Sequence, residues 1–160
     1  MKALLATAAL LAASPLAAEP TPEQAEVIAA ADAFFFALGS TRKTDLATVM
    51  LPEGMIFIHN RMTPDAPRVD IVPVAQHLER WAQTSARFME EMRYDTVLVD
   101  GDMAQVWGPY VFVANSEPSH CGINSLSLVK TESGWKVANT SFTMELPSEC
   151  KRLGAPGFEQ

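Results

Sequence analysis

Cysteine and positive charge are both scarce in this chain. Only two cysteines occur in 160 residues, Cys121 and Cys150, and no CxxC pair is formed. That leaves out the usual zinc spacings and any cysteine-protease signature. Twelve Lys and Arg stand against 19 Asp and Glu, a formal charge of −7, which argues against nucleic acid or an anionic membrane surface as partner. Beyond the first eighteen residues no apolar run reaches membrane-spanning length, and there is no repeat, linker or low-complexity tract. No metal or cofactor motif is present, so neither is expected. What remains is one acidic domain, long enough to bury a core without a metal.

The first eighteen residues, MKALLATAALLAASPLAA, combine Lys2, an apolar run and a small-residue end, the pattern of a secretory signal peptide. Cleavage after Ala18 removes Lys2 alone among charged residues and moves the formal charge from −7 to −8. The expected destination is the periplasm or the exterior, with no membrane attachment after cleavage. In an oxidising compartment two cysteines tend to pair, so a Cys121–Cys150 disulfide is expected, worth ~3 kcal/mol by loop closure. Residues 19–150 read as the domain and 151–160 as a loose tail.

Apolar positions Val27, Ile28, Ala31, Phe34, Phe35 and Leu38 recur at helical spacing, with Thr21 to cap the start and Gly39 to stop the end. A short helix is expected after Thr44, then a strand over 55–59 and a proline-containing loop over 60–67. A second helix over 72–89 would carry Val74, Leu78, Trp81, Ser85 and Phe88 on one face. That stripe reads first as core, with Trp81 also available as a pocket wall. Four β segments follow over 93–99, 104–115, 119–129 and 135–145, separated by DGD, SEP and ESG turns. Helices followed by an antiparallel meander mean an α+β fold with helices on one face of the sheet.

This order, together with "DGDMAQVWGPYVF", "SHCGINSLSLVK" and "SGWKVANTSFT", resembles the nuclear transport factor 2-like superfamily, nearest its polyketide cyclase and ketosteroid isomerase branch. The resemblance implies a curved antiparallel sheet wrapped around the helices as a cone with a pocket in its open end. Members include isomerases, cyclases, dehydratases, ligand binders and interaction modules, so the fold alone leaves function open. The isomerase branch uses a carboxylate base with a tyrosine and a protonated acid as oxyanion donors. No residue here matches that motif, and no role is carried over.

Along the strand from Ser119, side-chain alternation puts His120, Asn124, Leu126 and Leu128 on one face. A packed end and a polar mouth are what a cone pocket needs. His120 is the candidate proton carrier, with Tyr110 as its partner donor; the alternative is a histidine that only bonds at a strand end. Cys121 points the other way and does not pair with it as a nucleophile. Arg61 can fork onto a ligand oxygen or sit in a surface ion pair with Asp65 or Asp70. His59 is a second mouth candidate; with His120 and Glu90 or Glu91 it would make a metal set, which no spacing requires. His77 reads as structural.

Trp107 and Tyr110 have opposite parity, but a bulge at Gly108 and Pro109 would bring both inward, with Trp107 as an apolar wall against the ligand. On the last strand Trp135, Val137, Asn139, Ser141 and Thr143 share a face, and Ala138, Thr140, Phe142 and Met144 the other. A one-residue slip at the 132–134 turn would exchange them. Asn139 is therefore a ligand-binding candidate, while Phe142, Met144 and Ile123 form an apolar outer face for homodimerisation. Three functions compete: a small-molecule binder, an acid–base enzyme on the same pocket, and an interaction module.

Overall fold

The structure, a computed structural model, describes residues 19–158. The proposed leader, residues 1–18, lies outside the described residues. Helix α1 spans Pro22–Gly39. Thr21 and Gln24 cap it reciprocally: the Gln24 N–H donates to Thr21 Oγ1 at 3.2 Å and the Thr21 N–H to Gln24 Oε1 at 2.9 Å. Its apolar stripe is buried at Val27, Ala31, Phe34, Phe35 and Leu38, as the spacing anticipates. A 3-10 turn at Lys43–Thr48 buries Leu46.

Seven strands form one curved, unclosed sheet: β1 Met55–Asn60, β2 Arg68–Pro73, β3 Phe88–Met92, β4 Thr96–Asp100, β5 Met103–Ala114, β6 Glu117–Thr131 and β7 Gly134–Met144. Their order is β2-β1-β7-β6-β5-β3, with β4 sharing β3's edge of β5. The β1–β7 pair is parallel, so the sheet is mixed where sequence order suggested an antiparallel one. Helix α1 packs on the inner face, and Val106, Leu126, Leu128 and Val137 close the core against it.

The expected helix over 72–89 is mostly something else. Only Val74–Trp81 is helical, as α2. Before it, β2 pairs with β1; after it, β3 lies on β5 with Glu90 opposite Phe112. Phe88, Glu90 and Met92 alternate with Met89 and Glu91, a strand period that the helical spacing of 74, 78, 81, 85 and 88 masked. An open edge of β5 supplied the pairing that local propensity did not.

Two bulges set which side chains face inward. Ser119 is extra in β6, since Phe112 pairs with His120 but Val113 with Pro118. Ala138 is extra in β7, since Ser127 pairs with Asn139 but Leu128 with Val137. Beyond Ala138 the inner face passes from Val137 to Thr140, Phe142 and Met144. No bulge occurs at Gly108 and Pro109. Gly108 is needed for another reason: a Cβ there would lie 1.8 Å from the Arg93 carbonyl oxygen, where the chain crosses from β3 to β4.

Cys121 and Cys150 are joined, with Cα atoms 5.6 Å apart and both side chains buried. Helix α3, Cys150–Leu153, follows, and Ala155 is fully buried beside Val111 and the disulfide. Arg93 donates to the Gly154 carbonyl at 2.8 Å. Residues 151–158, read from sequence as a loose tail, are thus folded back: the disulfide anchors the segment and its apolar side chains cover the outside of β5 and β6. Among the described residues no helix is long and apolar enough to cross a membrane.

Candidate functional site

A partly open cavity of about 170 Å³ lies between the inner face of the sheet and the helices. Its wall is mainly apolar, from Phe34 and Leu38 on α1, Ile56 and Ile58 on β1, and Phe142 and Met144 on β7. About 150 Å³ of dry cavity accommodates a benzene-sized molecule, so the space is ring-sized. A row of rings runs along one side, four of them bordering the cavity and Phe88 bridging Trp81 and Phe112 from outside its lining. His77 stacks on Trp81 at 5.3 Å, Trp81 meets Phe88 at 4.7 Å, Phe88 meets Phe112 at 5.3 Å, and Phe112 stacks on His120 at 4.8 Å.

Strand register builds the polar end. Glu90 on β3 is opposite Phe112 on β5, which is opposite His120 on β6. Glu90 and His120 are therefore two strand spacings apart, about 10 Å at the backbone, and flank the cavity rather than bonding to each other. Four residues beyond His120 on β6, Asn124 donates its amide to Glu90 Oε1 at 2.8 Å. Between them Gly122 carries no side chain, because a Cβ would lie 1.9 Å from the Thr143 carbonyl oxygen. Tyr110 lies opposite Gly122 and donates its hydroxyl to that same carbonyl at 2.8 Å.

The electrostatics of this end follow from burial. Glu90 borders the cavity and keeps some accessible surface as a residue, yet its carboxyl is enclosed. Burial pushes its pKa up to about 8 against the opposing pull of the Asn124 amide. Burial likewise pushes His120 down to about 4, and its Nδ1 lies 3.2 Å from Ser119 Oγ. Burial, then the charge of Arg80, lowers His77. At neutral pH the polar end is thus a mostly protonated acid and a neutral imidazole. Asn124, 3% exposed, has a buried Oδ1 without a hydrogen-bond partner, and the Trp81 indole N–H is also unpartnered. Such atoms are rare and costly inside a folded chain.

Of the catalytic and ligand-binding candidates named from sequence, His120, Asn124 and Trp81 border the cavity. The others are elsewhere. Tyr110 is buried with its hydroxyl committed to Thr143. Trp107 is on the outer face, 49% exposed, because β5 runs regularly through Gly108. Asn139 faces outward beside Ser141 and accepts the Met55 N–H at 2.8 Å, having been turned out by the Ala138 bulge. His59 is also outward, 3.2 Å from Ser141 Oγ; with His120 on the inner face, the two do not gather as a metal set. Arg61 pairs with Glu145 at 2.8 Å on the surface, and Asp70 pairs with Arg68 instead.

Phe142 and Met144, assigned from sequence to an outer apolar face, line the cavity because the bulge reverses their side. His77, read as structural, borders it too. From sequence Glu90 offers only an optional metal ligand; the Phe88, Glu90, Met92 alternation is the signal that puts it on an inward strand face.

No protein-family model and no curated protein matches the chain. Solved structures do. A ketosteroid isomerase-like protein from Erwinia carotovora atroseptica is 16% identical, with 79% of this chain and 98% of that one covered at a TM-score of 0.57. A proposed β subunit of an aromatic-ring-hydroxylating dioxygenase from Novosphingobium aromaticivorans is 12% identical, covering 78% and 90% at 0.61. A nuclear transport factor 2-like superfamily protein from Salmonella enterica serovar Typhimurium is 14% identical, covering 78% and 92% at 0.57. At these identities the likeness is one of fold. With its curved sheet, inner-face helices and these neighbours, the chain has the nuclear transport factor 2-like cone fold.

Proposed function

We propose that the protein is an exported small-molecule-binding domain whose ligand is a ring-sized apolar molecule with at least one hydrogen-bonding group. One observation carries this reading: the ring-sized apolar cavity ends in the Glu90–Asn124 pair, with the Asn124 Oδ1 buried and unpartnered. A buried polar atom with open valence is destabilising unless something satisfies it, and a ligand group would. The Cys121–Cys150 disulfide is compatible with an extracellular location. Binding is favoured over acid–base turnover because the helpers an enzyme would need are spent: Tyr110 on a backbone carbonyl, Arg61 on Glu145.

The test is calorimetric titration of benzyl alcohol and 2-naphthol into residues 19–160, beside an Ile58→Trp variant that fills the cavity. Binding by the wild type, lost in a variant with unchanged circular dichroism, is expected. Failure of the wild type to bind either compound, or undiminished binding by Ile58→Trp, sinks the reading.

A further inference from the structure

The polar end of the cavity is one-sided in its chemistry. Glu90 is a carboxyl with no cationic side chain beside it, and no Lys or Arg borders the cavity. Asn124 spends its amide N–H on Glu90 and leaves its carbonyl oxygen open, so the open valence of this pair is an acceptor. Around it the wall is aromatic, and aromatic faces attract cations. That wall already holds one ammonium at its rim: Lys43 Nζ lies 5.4 Å from the Trp81 ring centroid and 5.1 Å from that of Phe88.

Resting on the binding reading above, we infer that the ligand is an organic cation: a ring-sized apolar body bearing a primary or secondary ammonium that docks on Glu90 and the Asn124 carbonyl oxygen. The ammonium supplies the counter-charge that Glu90 lacks and donates to the orphaned oxygen. An ion pair formed away from water and hydrogen-bonded on both sides is strong. The ring body lies against Phe112 and Trp81, where the unpartnered indole N–H can donate to a ligand oxygen. An anionic ligand meets no cation at the polar end beside Glu90 and Asn124 and is rejected.

Binding then has a proton signature. Glu90 holds its proton at neutral pH and gives it up to solvent as the ammonium arrives, so charge balances within the site. The other titratable groups around it do not exchange protons there. Tyr110 across the sheet and Tyr94 after β3 are pushed up by burial and stay protonated, and His120 and His77 are pushed down and stay neutral. Helix α1 contributes only Phe34 and Leu38 to the cavity wall, and Lys43 stays at the rim.

The experiment compares benzylamine with benzyl alcohol on the wild type and on Glu90→Gln, by calorimetry at pH 7 in two buffers of different ionisation enthalpy. Benzylamine is expected to bind the wild type at least about tenfold more tightly than the alcohol, releasing close to one proton per molecule bound. Glu90→Gln should lose that preference and the proton release. Equal or tighter binding of the alcohol to the wild type, or amine binding without proton release, overturns the inference but leaves the cavity as a binding site. Binding of neither compound overturns both readings. The wild-type proton count decides the matter even if Glu90→Gln fails to fold.

Discussion

The two faces of the sheet treat their polar residues in opposite ways. On the outer face Ser127 donates to Gln105 at 3.0 Å, His59 meets Ser141 at 3.2 Å, and Asn139 takes the Met55 N–H. Each has a partner although water is within reach. On the inner face, where water is scarce, Asn124 and Trp81 are left with unpartnered atoms, and Glu90 has one neutral donor. An unpartnered polar group costs least in water and most when buried. The distribution is the reverse of what stability alone would select, and it sets the inner face apart as the candidate site.

The contrast can be broken or sharpened by substitution. The largest effect is expected on the packed part of the inner face, where Leu126 is fully buried. Leu126→Ala should cost about 2–5 kcal/mol in urea denaturation, against about 0.5 kcal/mol or less for Ser127→Ala on the outer face. Comparable losses for the two would mean that the faces have been misassigned.

Glu90 is next. Its carboxyl is held at about 8 in the folded chain and near 4.5 when unfolded. The folded state therefore keeps a proton that the unfolded state loses, and stability falls as pH rises from 4.5 to 8. Glu90→Gln removes that decline and should be the more stable protein at pH 8.5, by roughly 2–4 kcal/mol. A wild type with the same pH profile as the variant would show that the carboxyl is solvated.

His120 gives the opposite slope. Lowered from 6.5 to about 4 by burial, it stays neutral in the folded chain while the unfolded chain takes up a proton, so stability is lost as pH falls from 6.5 to 4. Between 4.5 and 6.5 the two groups offset each other. His120→Asn should therefore expose the Glu90 slope over that interval in chemical denaturation. If the variant and the wild type coincide there, His120 is not desolvated.

The smallest effect belongs to the outer face. His59→Ala removes one half-exposed hydrogen bond and should change stability by no more than about 0.5 kcal/mol, leaving binding of benzyl alcohol unaltered. A loss of binding would move the site to the other face.

The elements that could be read from sequence share a cause. Helix α1 has a capping box and one unbroken apolar stripe, and β5 to β7 have regular alternation between clear turn signals; both are local patterns. The Cys121–Cys150 bond was legible because only two cysteines exist. The inward set on β6, His120, Asn124, Leu126 and Leu128, was legible because the extra residue, Ser119, lies before it. On β7 the extra residue, Ala138, falls in mid-strand, so parity misassigned Asn139, Phe142 and Met144 beyond it.

The sequence by itself determined the acidic balance, the order of the main elements, the disulfide and one polar strand end. Only the tertiary structure decided the edge strands β2 and β3, the bulges, and the meeting of Glu90 with Asn124. Those features depend on pairing with distant strands, and a hydrogen-bond ladder is completed by its neighbour rather than by its own side chains.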